Sequence, residues 1–169
     1  MTATIARIRR GGLGEIRLVV VALMCVIACL GYSGVFDGSR FLVPVVVAAV
    51  GATASAWVAR RWKLLVGETI LLMVLAFFVI GFITTQWFPS LSSPADFATG
   101  LSRGWADLLS SQNPTTLSPQ RAVVPFTTAW VGTALAQEFD RRSRYSGFAL
   151  VGVLAVSYTH LTLPTTPYV

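Results

Sequence analysis

Residues 60–88 read RRWKLLVGETILLMVLAFFVIGFITTQWF, and this stretch decides the fold. A basic tetrad, Arg60-Arg61-Trp62-Lys63, is followed by an apolar run, Leu64 to Phe88, long enough to cross a bilayer with tilt. Glu68 is the only charge in the run. It lies within the first turns, where a carboxylate favours the helix N-terminus and can meet Arg60, Arg61 or Lys63.

Working outward, the same alternation repeats. Arg7, Arg9, Arg10 and Arg17 precede a first apolar run, Leu18 to Phe36, and Arg141, Arg142 and Arg144 follow a later one. Of the 13 Lys and Arg residues, only Arg40, Arg103 and Arg121 fall in the alternate segments. Clusters of Lys and Arg at alternate loops mark the cytoplasmic side of a polytopic membrane protein. The expected topology is therefore multi-pass with a cytoplasmic N-terminus. Arg9, Arg10, Arg17, Arg60, Arg61, Lys63, Arg141, Arg142 and Arg144 determine it. The predominance of Arg over Lys points to a GC-rich bacterial genome, hence a bacterial plasma (inner) membrane.

Composition agrees. The 169-residue chain is 54% hydrophobic and 12% charged, outside the globular balance. The net charge of +6 does not indicate nucleic acid, because the charges sit at span ends and leave no basic polar face for a phosphate backbone. The partner implied is the lipid bilayer.

The expected fold is an all-α polytopic transmembrane bundle. Four spans are complete: Leu18–Phe36, Phe41–Ala59, Leu64–Phe88 and Val123–Phe139. A fifth begins at Val151–Leu154. Phe36-Asp37-Gly38-Ser39-Arg40 is a tight external turn. The second span is rich in small residues, with Ala48-x-x-x-Ala52 and Gly51-x-x-x-Ser55 pairs that let backbones approach closely, and this helix should be central. Pro125 falls in the first turn of the fourth span, where a missing N–H costs nothing.

Pro89 to Ala122 is the one long polar segment, expected outside. Ser93 is an N-cap candidate, Pro94 the first helical position, and Asp96 complements the dipole. Phe97, Leu101, Trp105, Leu108 and Leu109 form the apolar face of this external amphipathic helix, and Arg103 pairs with Asp107 across one turn. Asn113-Pro114 and Ser118-Pro119 read as loop.

The C-terminal stretch Val156-Ser157-Tyr158-Thr159-His160-Leu161-Thr162-Leu163-Pro164-Thr165 resembles, residue for residue, one reading frame of a transposon-type sequencing adapter. Residues 156–169 are therefore read as a non-native tail, and residues 1–155 as an N-terminal helical membrane domain that is a fragment of a longer protein. The only histidine, His160, lies in the tail.

Chemistry is sparse. Cys25 and Cys29 lie one turn apart in the first span and read as small apolar fillers. No histidine stands outside the tail to pair with a Ser or Cys nucleophile, no metal-ligand spacing occurs, and no phosphate loop is present. No charge pair marks a path through the spans. No catalytic, cofactor-binding or metal residue is assigned, and no cofactor is expected.

The order of features nonetheless resembles the N-terminal membrane domain of bacterial transglutaminase-like membrane proteins. The resemblance is carried by the basic Arg60-Arg61 loop, the external Leu101-x-x-Gly104-Trp105-x-x-Leu108-Leu109 helix, the Pro114 and Pro119 loop, and a fourth span with Trp130 before a basic turn. It implies a non-catalytic anchor that positions an extracytoplasmic Cys-His-Asp transglutaminase-like domain, an acyltransferase or protease, absent from this chain. Neither Cys25 nor Cys29 corresponds to the family nucleophile. Partners implied are that C-terminal domain or another membrane protein. The rival readings are a fragment of a multi-span transporter or flippase, which calls for half-broken helices near the midplane, and a small assembly subunit whose partner docks on the Phe97–Leu109 face.

Overall fold

The computed structural model describes residues 2–86, 94–110 and 116–142, with side chains from Glu15 onward except at Thr85, Gln86, Pro94, Pro119 and Arg142. Among them every regular element is a helix: α1 (Thr2–Cys29), continued by a 3-10 turn (Leu30–Gly34), α2 (Leu42–Arg61), α3 (Val66–Gln86), α4 (Pro94–Ser110) and α5 (Pro119–Arg142). The proposed fifth-span start, Ser93, Arg144 and the tail lie outside the described residues.

Among the described residues, three helices are long and apolar enough to cross a membrane: Glu15–Gly34, Leu42–Arg61 and Val66–Thr84. Their exposed surface is a belt of large apolar side chains, including Val19, Leu23 and Ile27 on α1 and Ile70, Leu71, Val74 and Leu75 on α3. Such continuous apolar exposure is costly in water and suits hydrocarbon. Only 11% of the α3 crossing is covered by the rest of the chain, so lipid is its natural neighbour.

The expected fourth span falls within α5, which is long enough to cross but is not among the three by apolarity. The reason is its position. α5 packs against all four other helices, most extensively α2 and α4. Its polar residues turn inward: Thr133 and Gln137 are buried. A helix walled by protein needs little lipid-compatible surface, so its average polarity rises.

Two boundaries differ from expectation. α1 is helical from Thr2, through the basic segment, so the helix begins well before Leu18. α5 begins at Pro119, where Ser118-Pro119 had read as loop. The Ser118 carbonyl accepts from Ala122 N–H at 2.9 Å and its hydroxyl accepts from Arg121 N–H at 3.4 Å, while Pro119 takes the first position. Pro125 therefore lies inside the helix, past its first turn.

The core lies between α1, α2 and α5. Tyr32, Phe36, Phe41, Val45, Ala48, Ala52, Val124, Phe126 and Trp130 form one cluster. The Tyr32 hydroxyl and the Thr128 hydroxyl hydrogen-bond at 3.0 Å, tying the end of α1 to α5. α2 is central as expected, burying Ala48, Ala49, Gly51, Ala52, Ser55, Ala56 and Ala59. A methyl group added at Gly51 would stand 2.7 Å from the Trp130 ring and 2.8 Å from Ile80. The small residue is what admits the indole and α3 together.

Two turns close the bundle ends. Gly38, at φ +82°, supplies the left-handed step of the Asp37–Arg40 turn. At the other end α2 finishes in a Schellman motif. Leu64 N–H donates to the Ala59 carbonyl at 3.0 Å and Lys63 N–H to the Arg60 carbonyl at 3.3 Å. Lys63 holds the left-handed position, φ 53°, that usually falls to glycine.

Candidate functional site

The densest polar assembly among the described residues stands where α2, α3 and α5 meet at their basic ends. Arg60 Nη2 lies 3.5 Å from Asp140 Oδ2 and donates to the Gln137 carbonyl at 3.1 Å. The Gln137 side-chain amide donates to the Thr53 hydroxyl at 2.8 Å, which in turn donates to the Ala49 carbonyl at 2.7 Å. Arg141 crosses from α5 to α3, donating through Nη1 to the Thr69 hydroxyl at 3.3 Å and through Nη2 to the Leu64 carbonyl at 3.0 Å. Glu138 stands 3.8 Å from the same guanidinium.

The physical logic is local. α2 and α5 lie parallel here, so the last turn of each presents charge at the same level. The Asp140 side chain is 8% exposed and Arg60's is 25% exposed. A carboxylate this covered needs its guanidinium. The pair lies at the helix ends and so marks no path through the spans. Sequence alone could not choose Arg60 from among its basic neighbours, because the choice depends on the register of α2 against α5.

Glu68 settles one expectation. Its Oε2 accepts the Leu65 N–H at 2.9 Å, three residues back, which is half of a capping box at the start of α3. It thus serves the helix terminus, and of the three basic residues within its expected reach, Arg60, Arg61 and Lys63, the first pairs with Asp140 instead.

The topology residues gather at this end. Arg61 and Lys63 are exposed beside the assembly, and Arg141 is part of it. Arg17 follows Glu15, which lines a groove between α1 and α2 together with Trp57, one turn before Arg60. Arg9 and Arg10 lie farther along the same helix, and Arg142 closes α5.

At the opposite end α4 packs against the first turns of α5. Phe97 is buried against the rings of Phe77 and Phe126, at centroid distances of 5.9 and 6.5 Å. The contact line then runs through Gly100 and Gly104. A methyl at Gly100 would meet Val123 Cγ2 at 2.6 Å and the Gln120 carbonyl at 2.8 Å. Leu101 and Leu108 are half-buried, whereas Trp105 and Leu109 are exposed. The buried arc is thus offset from the expected face Phe97, Leu101, Trp105, Leu108 and Leu109. Two glycines, which carry no apolar signal, occupy its centre. Gly100-x-x-x-Gly104 was the signal that could have located this arc. Arg103 and Asp107 stay exposed and do not pair with each other.

Cys25 and Cys29 are buried free thiols in α1. Among the described residues no group of three His, Cys, Asp or Glu side chains could hold a metal ion. No family model, curated protein or solved structure matches the chain.

Proposed function

We propose that this chain is a four-span membrane platform, with α5 as the fourth crossing. Its basic end faces the cytoplasm, and through the fifth span expected from Val151, which carries the chain back across, it anchors an external transglutaminase-like domain. The observation that carries the reading is the gathering of Arg17, Arg60, Arg61, Lys63, Arg141 and Arg142 at one end of a single packed bundle, with the α4–α5 pair at the other. Arginine excess on one side sets orientation. The polar assembly around Arg60 and Asp140 ties three helices together where the chain leaves the bilayer, and so stiffens the platform. It offers no nucleophile and no proton relay. In this reading acyl transfer belongs wholly to the external domain, and α4 stands on the side where that domain would be.

Two measurements test it. Cysteines introduced by Ser39→Cys and Ser110→Cys are expected to react with an impermeant maleimide in intact cells, while one from Lys63→Cys reacts only after lysis; the reverse pattern overturns the orientation. Determining the reading frame past Leu154 at the source locus tests the anchor role. Continuation into an external domain with a Cys and later His and Asp supports it. A frame that encodes Tyr158 to Val169 and then stops overturns it.

A further inference from the structure

Between α3 and α5 runs an open groove of about 630 Å³, bounded at one end by Leu101 of α4 and at the other by Thr69 and Glu138. Its walls are bulky: Met73, Phe77, Phe78, Trp130, Val131 and Leu135. Helices that dock closely in membranes meet through small residues, as α2 and α4 do here. Along this groove the small residues, Thr69, Thr127 and Ala134, are scattered among ten larger ones, so it suits a flexible chain better than a rigid helix.

Its polar end carries both signs of charge. Arg141 is held there by Thr69 and the Leu64 carbonyl, and a guanidinium has five N–H donors, so several remain for phosphate oxygens. Glu138 lines the groove itself and presents a carboxylate to a hydrogen-bonding ammonium. The apolar length, the guanidinium and the carboxylate together match one amphiphile.

We propose that the α3–α5 groove is a binding site for a phospholipid with a primary-amine headgroup. One acyl chain lies along Phe77, Phe78 and Trp130, the phosphate meets Arg141, and the ammonium meets Glu138. The site rests on the membrane placement argued above. It would make the headgroup a bridge between α3, which the protein otherwise covers least, and α5.

The test is lipid titration of the purified chain in detergent, read by native mass spectrometry, with dioleoyl phosphatidylethanolamine, phosphatidylcholine and phosphatidylglycerol as probes. One phosphatidylethanolamine is expected to be retained about tenfold more tightly than phosphatidylcholine, whose methylated nitrogen has no N–H to donate. Glu138→Gln should bring the two near parity. Val131→Trp, which fills the groove from an exposed position, should abolish retention, and Ala134→Phe should do the same if Val131→Trp lowers helix content. Leu75→Trp, on the outer face of α3, should change nothing. Equal retention of all three lipids, or selectivity that survives both filling variants, overturns the proposal. A dimer that Val131→Trp dissociates assigns the groove to a second copy and also overturns it. Alkaline carbonate extraction separates the two readings: a chain released from membranes refutes the membrane placement, whereas an integral chain without selectivity refutes the lipid site alone.

Discussion

Substituting Gly100 by alanine tests the close approach of α4 to α5. The added methyl would stand 2.6 Å from Val123 Cγ2, 2.8 Å from the Gln120 carbonyl oxygen and 3.0 Å from Val123 Cβ. Ordinary contact begins near 3.4 Å, so the two nearest atoms are short by about 0.6–0.8 Å. Neither can yield easily. The carbonyl belongs to the α5 backbone, and valine in a helix has one strongly preferred rotamer. Relief requires α4 to move away from α5, which loosens Phe97 against Phe77 and Phe126. Overpacking of this kind costs about 1–3 kcal/mol. Alanine recovers up to about 1 kcal/mol of helix propensity over glycine. The net expectation is a loss of about 1–2 kcal/mol. Gly104→Ala meets its nearest atoms at 3.0 and 3.2 Å and should come out near neutral. Gly67→Ala, with nothing within 4 Å, should show only the propensity gain. Unfolding in mixed micelles by titration with sodium dodecyl sulfate, followed by circular dichroism, ranks the three. A Gly100→Ala variant as stable as Gly67→Ala would refute the close-packed α4–α5 contact.

Further outcomes follow from single contacts. Arg60→Ala leaves the Asp140 carboxylate covered and uncompensated and should lower stability by about 2–4 kcal/mol in the same assay, with Asp140→Asn costing less; an unchanged midpoint would show the pair to be incidental. Lys63→Gly removes a left-handed strain and should stabilise by up to about 1 kcal/mol, whereas Lys63→Val should destabilise. Equal midpoints for the two would argue against the Schellman ending. Tyr32→Phe deletes the hydroxyl link to Thr128 and should cost about 0.5–1.5 kcal/mol; no loss would mean that the link is inactive in the bilayer.

What the sequence revealed depended on whether the cause was local. The three helices long and apolar enough to cross a membrane follow from apolar runs of about that length. The central place of α2 follows from Ala48, Gly51, Ala52 and Ser55, because small residues on one helix announce that another must come near. The α4 face was half legible. Phe97 reads as an anchor, but Gly100 and Gly104 bury through the absence of a side chain, and a count of apolar residues passes over them. The start of α5 was hidden by Ser118-Pro119, a pair equally at home in a loop and at a helix N-terminus. The Arg60–Asp140 pair and the bridge from Arg141 to α3 were beyond reach, since they join residues some eighty positions apart through a helix register that no local pattern sets.

The polarity of α5 has a consequence for biogenesis. A segment carrying Thr127, Thr128, Thr133 and Gln137 across the hydrocarbon gains little by partitioning into lipid alone. The three apolar helices can each enter the bilayer on their own account as they are synthesised, but α5 follows them and finds its favourable surroundings against the helices already in place, α2 and α4 above all. On the four-span reading its entry is therefore a cooperative step, and it depends on the earlier helices having already formed the wall it completes. Substitutions that widen α2 at Ala48 or Ala52 should then act as topology defects, with α5 left on one side of the membrane, before they register as losses of stability.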